Sequence, residues 1–278
     1  MDSLIYSNTL KLQKSPRDET LQDWCSLFRG RIQKITSSDP IVSVIFPAFN
    51  EEAYLPVMLN ALSNIQTSQS IEFIGVNNAS TDRTAEILKE SGIICIDEPK
   101  KGVSYARQTG LSEAKGEYIF TTDADTMVPE GWIDANLEYF NNDANLVCLS
   151  GGAVSQGAHW SYYVARFTVQ TIRSIIGQKG EALMSFVGSN SVYKKVVAEA
   201  VGGYELGSDF GEDNIIARKM GSHGKILHIR DNPSTRVIMS ARRTDTFSKV
   251  IHVIRDRMNK SWKNYEEIPS GITFQDAR

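Results

Sequence analysis

The sequence predicts an α/β fold, a mostly parallel sheet flanked by helices, and three observations support it. From residue 41 onward, short apolar runs typical of buried strands alternate with one-sided helical stripes. The connections between them are a few residues long, as in sheets covered on both faces. Polar segments follow several of the strands, and ligands bind at the carboxyl ends of strands in such sheets. We therefore expect a site where the segments 47–52, 77–82 and 123–126 meet.

The first half of the chain supplies the clearest elements. Strands are predicted at 41–46, 71–76, 93–96 and 118–122, and helices at 54–62 and 103–114. Pro47 is expected to end the first strand. Ser80 is expected to cap a helix whose positive end accommodates Asp82 and Glu86. An earlier amphipathic helix is predicted within residues 1–40 from Trp24, Leu27, Phe28, Ile32 and Ile35.

The second half is less regular. A strand is predicted within 146–154, a helix with a wide apolar stripe over 160–176, a strand with a turn at 186–193, a short strand at 226–229 and an amphipathic helix from 246. With no internal repeat or low-complexity linker, we expect one main domain over 41–245. A helical extension at 1–40 would precede it, and a basic amphipathic helix and tail at 246–278 would follow it.

Composition excludes several classes of protein. The 278 residues include 30 Lys and Arg against 33 Asp and Glu, so the net charge of −3 argues against a general nucleic-acid binder. Three scattered cysteines argue against a disulfide framework or a zinc site. The amino terminus lacks the pattern of a signal peptide, and no uncharged apolar run reaches the ~18–20 residues that span a bilayer. These features predict a cytoplasmic protein.

Two acidic pairs are the candidates for chemistry. Asp123 and Asp125 follow a predicted strand, and side chains two residues apart on an extended backbone point the same way. Two carboxylates completed by substrate phosphates are a usual Mg²⁺ site, although an Asx turn would also explain the pair. Glu212 and Asp213 precede a helical pattern, so they are either an N-terminal cap or a general base acting on a hydroxyl group.

Six segments in a fixed order carry a resemblance to a known family. They are Pro-Ala-Phe-Asn-Glu-Glu at 47–52, Asn-Asn-Ala-Ser-Thr-Asp at 77–82, Lys-Gly-Val-Ser-Tyr-Ala-Arg at 101–107, Ala-Lys-Gly-Glu-Tyr-Ile at 114–119, Asp-Ala-Asp at 123–125 and Gly-Glu-Asp at 211–213. From about residue 41 to about residue 245, the chain resembles the family 2 glycosyltransferases. The resemblance implies the Rossmann-like GT-A fold with a smaller acceptor-side subregion.

The resemblance also implies a nucleotide-diphosphate sugar donor and a divalent cation, Mg²⁺ or Mn²⁺. The residues implied at the donor are Pro47, Ala48, Asn50 and Glu52 at the nucleoside, Asn78 at the base, and Lys101, Arg107, Arg242 and Arg243 near the diphosphate. The family usually carries Asp-Asp-Gly-Ser at the second segment. This chain has Asn77-Asn-Ala-Ser80, so the identity of the base stays open.

Further roles follow from the same resemblance. Asp123 would meet the ribose or the metal, Asp125 would bind the metal, Asp213 would be the catalytic base supported by Glu212, and His228 is a weaker candidate for a metal ligand. Gly188 and Asn190 match segments on the acceptor side, where Trp160 is a weaker candidate. The aromatic stripe that includes Trp160 is expected in the core or in the wall of an acceptor pocket.

The expected function is metal-dependent, inverting transfer of a sugar to a hydroxyl group of a saccharide or lipid-linked acceptor. A retaining transferase on the same fold and a non-catalytic nucleotide- or sugar-binding relative are the alternatives. A nucleotidyltransferase is disfavoured because residues 47–52 contain no Gly-rich phosphate loop. Residues 241–263 carry a net charge of +5, so the last helix is either a solvated face or a contact with the inner face of a membrane.

Overall fold

The computed structural model describes residues 18–165, 167–168, 186–208, 211–229, 231–261 and 274–277. Helices span Asp18–Ile35 (α1), Leu55–Ser63 (α2), Thr84–Glu90 (α3), Val103–Glu113 (α4), Trp132–Asn142 (α5), Lys195–Ala200 (α6), Glu212–Met220 (α7) and Phe247–Ser261 (α8). Strands span Val42–Ala48 (β1), Ile71–Asn77 (β2), Ile94–Asp97 (β3), Tyr118–Thr121 (β4), Thr126–Met127 (β5), Leu146–Ser150 (β6), Ala153–Gln156 (β7), Ser191–Lys194 (β8), Lys225–Ile229 (β9), Val237–Ser240 (β10) and Phe274–Ala277 (β11). Residues 160–165 and 167–168 are also helical.

The predicted parallel sheet is confirmed. Its described strands lie in the order β11-β9-β6-β8-β4-β1-β2-β3. Strand β1 is parallel to both neighbours, with Val42 opposite Ile71 on one side and Tyr118 on the other. Strand β8 is antiparallel to β4 and β6, and the other pairings in this sheet are parallel. The carboxyl ends of β1, β2, β4, β6 and β9 therefore meet at one edge.

A second, smaller sheet forms the expected subregion beside that edge. It has the order β5-β10-β7, with β10 parallel to β7 and antiparallel to β5. Strand β5 follows Asp125 directly, and Ser240 N in β10 donates to Asp125 O at 3.2 Å. A strand of two residues has no period to detect, which is why the sequence did not predict β5.

Successive side chains of the central strands pack into two cores, one on each face of the sheet. Val44 and Phe46 of β1 belong to the core that includes Phe28 of α1 and Leu59 of α2. Ile45 lies in the other core, together with residues of α4 and α7. The strands are buried on both faces, as expected for a sheet covered by helices.

Pro47 does not end the first strand, contrary to the sequence prediction. Ile45 O faces β4 and accepts from Thr122 N, whereas Ala48 O faces β2 and accepts from Asn78 N. Because the backbone polar groups of successive residues point to opposite sides of a strand, the backbone nitrogen of Pro47 faces β4. Pairing with β4 has already ended at Ile45, so the missing N–H of proline breaks no ladder bond.

The predicted cap at Ser80 is wrong, the core position expected for Trp160 is excluded, and the helices α5 and α6 were missed. Helix α3 begins at Thr84, so Ser80 is not its cap, and Asp82 Oδ1 instead accepts from Thr84 N at 3.0 Å. Trp160 is 67% exposed, so it does not lie in the core. The part of the predicted stripe at 169–176 lies outside the described residues. The sequence did not predict α5, although Trp132 is completely buried there.

Among the helices of the described ranges, none combines the length and the apolar character needed to cross a bilayer.

Gly116, in the turn before β4, provides a test of how tightly this turn packs on β1. A Cβ added there would lie 2.6 Å from Ser43 N and 2.7 Å from Val42 C, both backbone atoms of a central strand. We expect Gly116→Ala to lower the free energy of unfolding by about 1–3 kcal/mol, measured by urea denaturation. Gly30→Ala is the matched control, because Gly30 lies inside α1 with no atom within 4 Å of the added Cβ. It should raise stability by up to about 1 kcal/mol. Equal effects of the two substitutions would contradict this packing.

Candidate active site

The segments after β1 and β2 are bonded to each other at the carboxyl edge of the sheet. Asn50 N donates to Ser80 Oγ at 3.1 Å, and Asn50 Oδ1 accepts from Thr81 N at 2.8 Å. Asn50 and Ala79 have φ values of 55° and 56°, in the left-handed region that few residues other than glycine adopt. These bonds hold the two turns in a fixed relation.

Glu52 is also used between these two segments. Its backbone N–H donates to Asp82 Oδ2 at 3.1 Å, and its carboxylate accepts from Arg83 Nη2 at 2.8 Å. Pro47 is half-buried and Ala48 buried at the end of β1. The predicted nucleoside-binding residues of the first segment therefore lie together at one edge, and their contact with a nucleoside stays a prediction.

Asn78 connects the end of β2 to the segment before α4. Its Nδ2 donates to Lys100 O at 2.6 Å, and its Oδ1 accepts from Gly102 N at 2.9 Å. The side chain is buried, so in this structure its amide positions a loop. Lys101 in that loop is exposed, with Nζ 5.2 Å from the centroid of the half-exposed Phe49 ring.

Arg107 brings the two acidic pairs into one cluster. Its Nη2 donates to Asp123 Oδ1 at 2.9 Å, and its Nε lies 3.4 Å from Glu212 Oε1. Nη1 donates to Gly188 O at 3.0 Å. The arginine side chain is only 4% exposed, on the face of α4 turned toward the sheet.

The charges in this cluster are strongly coupled. Burial disfavours the charge of Arg107, but Glu212, Asp123 and Asp213 outweigh it and raise the pKa of the guanidinium. Burial and the neighbouring Asp213 raise the pKa of Glu212 to about 8, although Arg107 opposes the shift. Near neutral pH, Glu212 therefore holds a proton beside a half-buried Asp213.

Gly188 lies in close contact with this cluster. A Cβ added at Gly188 would collide with Arg107 Nη1 and would lie 2.7 Å from Asp213 Oδ2. Thr121 Oγ1 at the end of β4 also donates to Gly188 O, at 2.8 Å. A residue predicted on the acceptor side thus lies against the candidate base.

A second arginine holds the other half of the Asp123–Asp125 pair. Arg242 Nε lies 2.9 Å from Asp125 Oδ2, and its two terminal nitrogens donate to both oxygens of Glu51 at 2.5 and 2.6 Å. The guanidinium also lies 4.5 Å from the centroid of the Tyr54 ring. Arg242, predicted near the donor phosphates, therefore lies beside the candidate metal ligand.

The acidic groups outnumber the buried Arg107 and the half-buried Arg242, and the donor set fits a divalent cation. Burial raises the pKa of Asp125 to about 6, with Asp123 and Glu51 adding to the shift against Arg242 and Arg243. A carboxylate that remains short of positive charge, beside a second carboxylate on the same turn, suits a cation completed by substrate phosphates. Within the described ranges, no three His, Cys, Asp or Glu side chains converge on a metal position.

The weaker candidates are distributed differently. His228 lies on β9, which β6 and β8 separate from β4, about 14 Å away at the usual spacing of strands. The structure therefore does not bring it to the two aspartates. Arg243 is exposed. Asn190 is completely buried, where its amide bonds Trp132 Nε1, Gly152 O and Thr235 O, so it positions the strands around the site.

Sequence reasoning missed Glu51 and Tyr54, the partners of Arg242. Glu51 is buried and separated from Arg242 by 191 residues, so only the fold shows the pairing. The one signal was the doubled Glu51-Glu52, of which the family resemblance implied only Glu52 at the nucleoside.

Part of this chain is similar in sequence to a known protein family and to curated relatives. The profile of the family described as "Glycosyl transferase family 2" matches residues 43–202, more than half of the chain. Glycosyltransferase GlyA of Streptococcus pneumoniae is 35% identical over 101 residues, covering 34% of this chain and 14% of that protein. Glycosyltransferase AglE of Haloferax volcanii is 30% identical over 127 residues, covering 43% and 41%. The chain thus spans less than half the length of these curated relatives.

Solved structures have a fold similar to that of this chain. Mannosyltransferase PcManGT from Pyrobaculum calidifontis, in complex with GDP-Man and Mn²⁺, has a TM-score of 0.59 at 18% identity and covers 94% of this chain and 76% of that one. S. aureus TarS 1–349 in complex with UDP has a TM-score of 0.56 at 14% identity and covers 81% and 67%. At these identities the likeness concerns the fold, and it confirms the predicted GT-A architecture.

The raised pKa of Glu212 predicts how stability depends on pH. The contribution of a group whose pKa is raised by folding is fully present below its ordinary value of 4.5 and is lost as pH rises through about 8. We expect the wild-type Tm to fall across this window. The Tm of Glu212→Gln, which imitates the protonated group, should fall by at least about 2 °C less than the Tm of the wild type. This difference is the shift that about 1 kcal/mol produces in a chain of this size.

Glu113→Gln, at an exposed position on α4, is the control and should follow the wild type. Differential scanning fluorimetry between pH 5 and pH 8 provides the measurement. A Glu212→Gln profile parallel to that of the wild type would show that Glu212 is ionised throughout.

Proposed function

Because this chain belongs to glycosyl transferase family 2, we propose that it transfers a sugar from a nucleotide-diphosphate donor to a hydroxyl group of an acceptor. The acceptor is a saccharide or a lipid-linked molecule, and the transfer inverts the anomeric configuration. The observation that carries this proposal is the Arg107 cluster, which joins the Asp123–Asp125 turn to the Glu212–Asp213 pair. One site thus has both groups for the leaving diphosphate and a candidate base for the acceptor.

The donor side of the proposal rests on the carboxyl edge of the sheet. The first two segments are locked together by Asn50, and Asn78 fixes the loop that carries Lys101. Structures with the same fold bind UDP, UDP-GlcNAc and GDP-Man, which supports a nucleotide-sugar donor here. Lys101 and Arg243 are exposed cations, which supports their proposed contact with diphosphate oxygens.

Asp125 and Asp123 are the residues that would hold a divalent cation. When bound, Mg²⁺ or Mn²⁺ would neutralise negative charge that develops on the leaving diphosphate. Arg242 keeps Asp125 and Glu51 in place through three of its nitrogens. The Mn²⁺ in the complex of the archaeal mannosyltransferase supports the assignment.

Asp213 is the proposed general base. Burial raises the pKa of Glu212 and favours its protonated form, and Asp213 is the more exposed member of the pair, so Asp213 is the residue assigned to accept the proton of the acceptor hydroxyl. Arg107 holds the Glu212 side chain and Gly188 leaves room for Asp213. Attack from the face opposite the leaving group inverts the anomeric centre without a covalent enzyme intermediate.

Two measurements test the reaction itself. A thermal-shift screen of UDP, GDP and TDP with and without Mn²⁺ should reveal one nucleotide that raises Tm, since a ligand of the native state stabilises it by mass action. Proton NMR of the product from the matching sugar donor should show inversion. Retention of the anomeric configuration would instead indicate a retaining transferase. A chain that binds none of the nucleotides would favour a non-catalytic relative.

Replacing the base should separate binding from chemistry. We expect Asp213→Asn to leave donor affinity within about twofold while lowering turnover by about 10² or more, the usual contribution of a general base. Asp231→Asn, at an exposed loop position, is the control with normal turnover. Turnover of Asp213→Asn close to that of the wild type would place the base elsewhere.

Replacing the candidate metal ligand should act on binding. Asp125→Asn keeps the size of the side chain beside Arg242 but removes its charge, so Mn²⁺-dependent donor affinity should fall by about tenfold or more. Isothermal titration calorimetry measures this, and Asp39→Asn, which is exposed, should bind as the wild type does. Unchanged affinity of Asp125→Asn in the presence of Mn²⁺ would contradict the metal assignment.

A further inference from the structure

Large apolar side chains are exposed on two neighbouring helical segments. Trp160, Val164 and Phe167 are 67%, 54% and 70% exposed, and their spacing places them on one helical face. Phe247 and Ile251, one turn apart at the start of α8, are 55% and 48% exposed. We call these five residues the aromatic patch.

His159 joins the two parts of the aromatic patch. Its ring centroid lies 5.4 Å from that of Trp160 and 6.1 Å from that of Phe247. Its backbone N–H donates to Thr244 O at 2.7 Å, so the beginning of the first helical segment is fixed to the turn before α8. Val250, on the adjacent face of α8, is buried and anchors that helix to the body. The two helical segments of the aromatic patch are therefore held in a fixed relation to each other.

Basic side chains are concentrated in the same two stretches of sequence. Residues 157–180 and 241–263 together contain ten Lys or Arg and two acids, a net charge of +8, while the rest of the chain carries −11. On α8, Arg255 is exposed, and Lys249 is half-exposed and pairs with Asp245 at 2.8 Å. Positive charge thus accompanies the exposed apolar side chains in an otherwise acidic protein.

We propose that the aromatic patch and its basic neighbours dock this protein on an anionic lipid surface. Aromatic and aliphatic side chains that alternate with Lys and Arg along one helix are typical of helices that lie in the headgroup region. The centre of a protein–protein interface is instead depleted in charged residues, Lys in particular. Anionic lipids also supply the negative charge that complements the net +8 of the two stretches.

Docking here would bring lipid close to the candidate active site. The chain from Ser240, whose N–H bonds Asp125 O, reaches Arg242 and then enters α8 at Phe247 within seven residues. The inference itself rests on exposure and charge, so it stands independently of the proposed reaction.

Vesicle co-sedimentation of the whole chain tests the proposal. Vesicles of phosphatidylcholine are compared with vesicles of phosphatidylcholine mixed with phosphatidylglycerol. We expect at least about tenfold tighter binding to the anionic vesicles, weakened by added NaCl. The paired substitutions Phe167→Ser with Phe247→Ser, and Lys249→Glu with Arg255→Glu, should each reduce that binding by about tenfold.

The controls are matched in exposure and charge. Val196→Ser on α6, a position 67% exposed, and Lys34→Glu on α1, which is also exposed, should bind vesicles as the wild type does. Circular dichroism and an unchanged Tm should show that every variant is folded, since all of the replaced side chains are at least partly exposed.

Three results would overturn the proposal. The first is a folded wild type that does not bind anionic vesicles. The second is an equal loss of binding in the controls. The third is self-association in analytical ultracentrifugation that Phe167→Ser with Phe247→Ser abolishes while vesicle binding is absent. That last result would assign the patch to a second copy of the chain.

Discussion

The buried guanidinium of Arg107 is the interaction on which the candidate site depends. It lies on α4, yet its partners come from the end of β4, the turn before β8 and the start of α7. A buried cation is tolerated only when its donors are matched by acceptors, so these three segments must lie where they do. Removing one partner of such a pair usually costs about 3–5 kcal/mol, because a charge is left uncompensated. Gly188 is required in the same place, since a larger residue would collide with the guanidinium.

The Asp123–Asp125 turn is held from both sides by arginines of different origin. Arg107 bonds Asp123, and Arg242 contacts Asp125 while it bonds Glu51. Segments from the two halves of the chain therefore meet at residues 123–125, shortly after β4. Because these carboxylates outnumber the arginines, the site keeps an excess of negative charge, and that excess is the physical basis of the proposed cation. The pKa values of Asp125 and Glu212 are raised first by burial and then by the neighbouring carboxylates. Most of the excess of Lys and Arg lies in two stretches of the sequence, 157–180 and 241–263, which also contain the residues of the aromatic patch.

Much of this arrangement could be predicted from periodicity, and the rest depends on contacts that no local pattern encodes. The alternation of strands and helices placed Asp123 at the carboxyl edge of the sheet, because β4 is long and apolar enough to recognise. Arg107 was noted from the family resemblance, but its burial follows from three partners far along the chain. Trp160 was expected in the core or in the wall of an acceptor pocket, and only the core is excluded by its exposure, because helical spacing shows which residues share a face and does not show whether that face is covered. Glu51 was not predicted, since its partner Arg242 is 191 residues away and no local pattern encodes the pairing.

The central claim is that Arg107 couples the two acidic pairs into one site. A double-mutant cycle on the free energy of unfolding, with Asp123→Asn, Glu212→Ala and the double substitution, measures this coupling directly, because both side chains contact the same guanidinium. We expect a coupling energy of about 1 kcal/mol or more, above the ~0.3–0.5 kcal/mol within which the effects of independent sites add. Additive effects within that range would mean that the two pairs do not share Arg107, and would contradict the account.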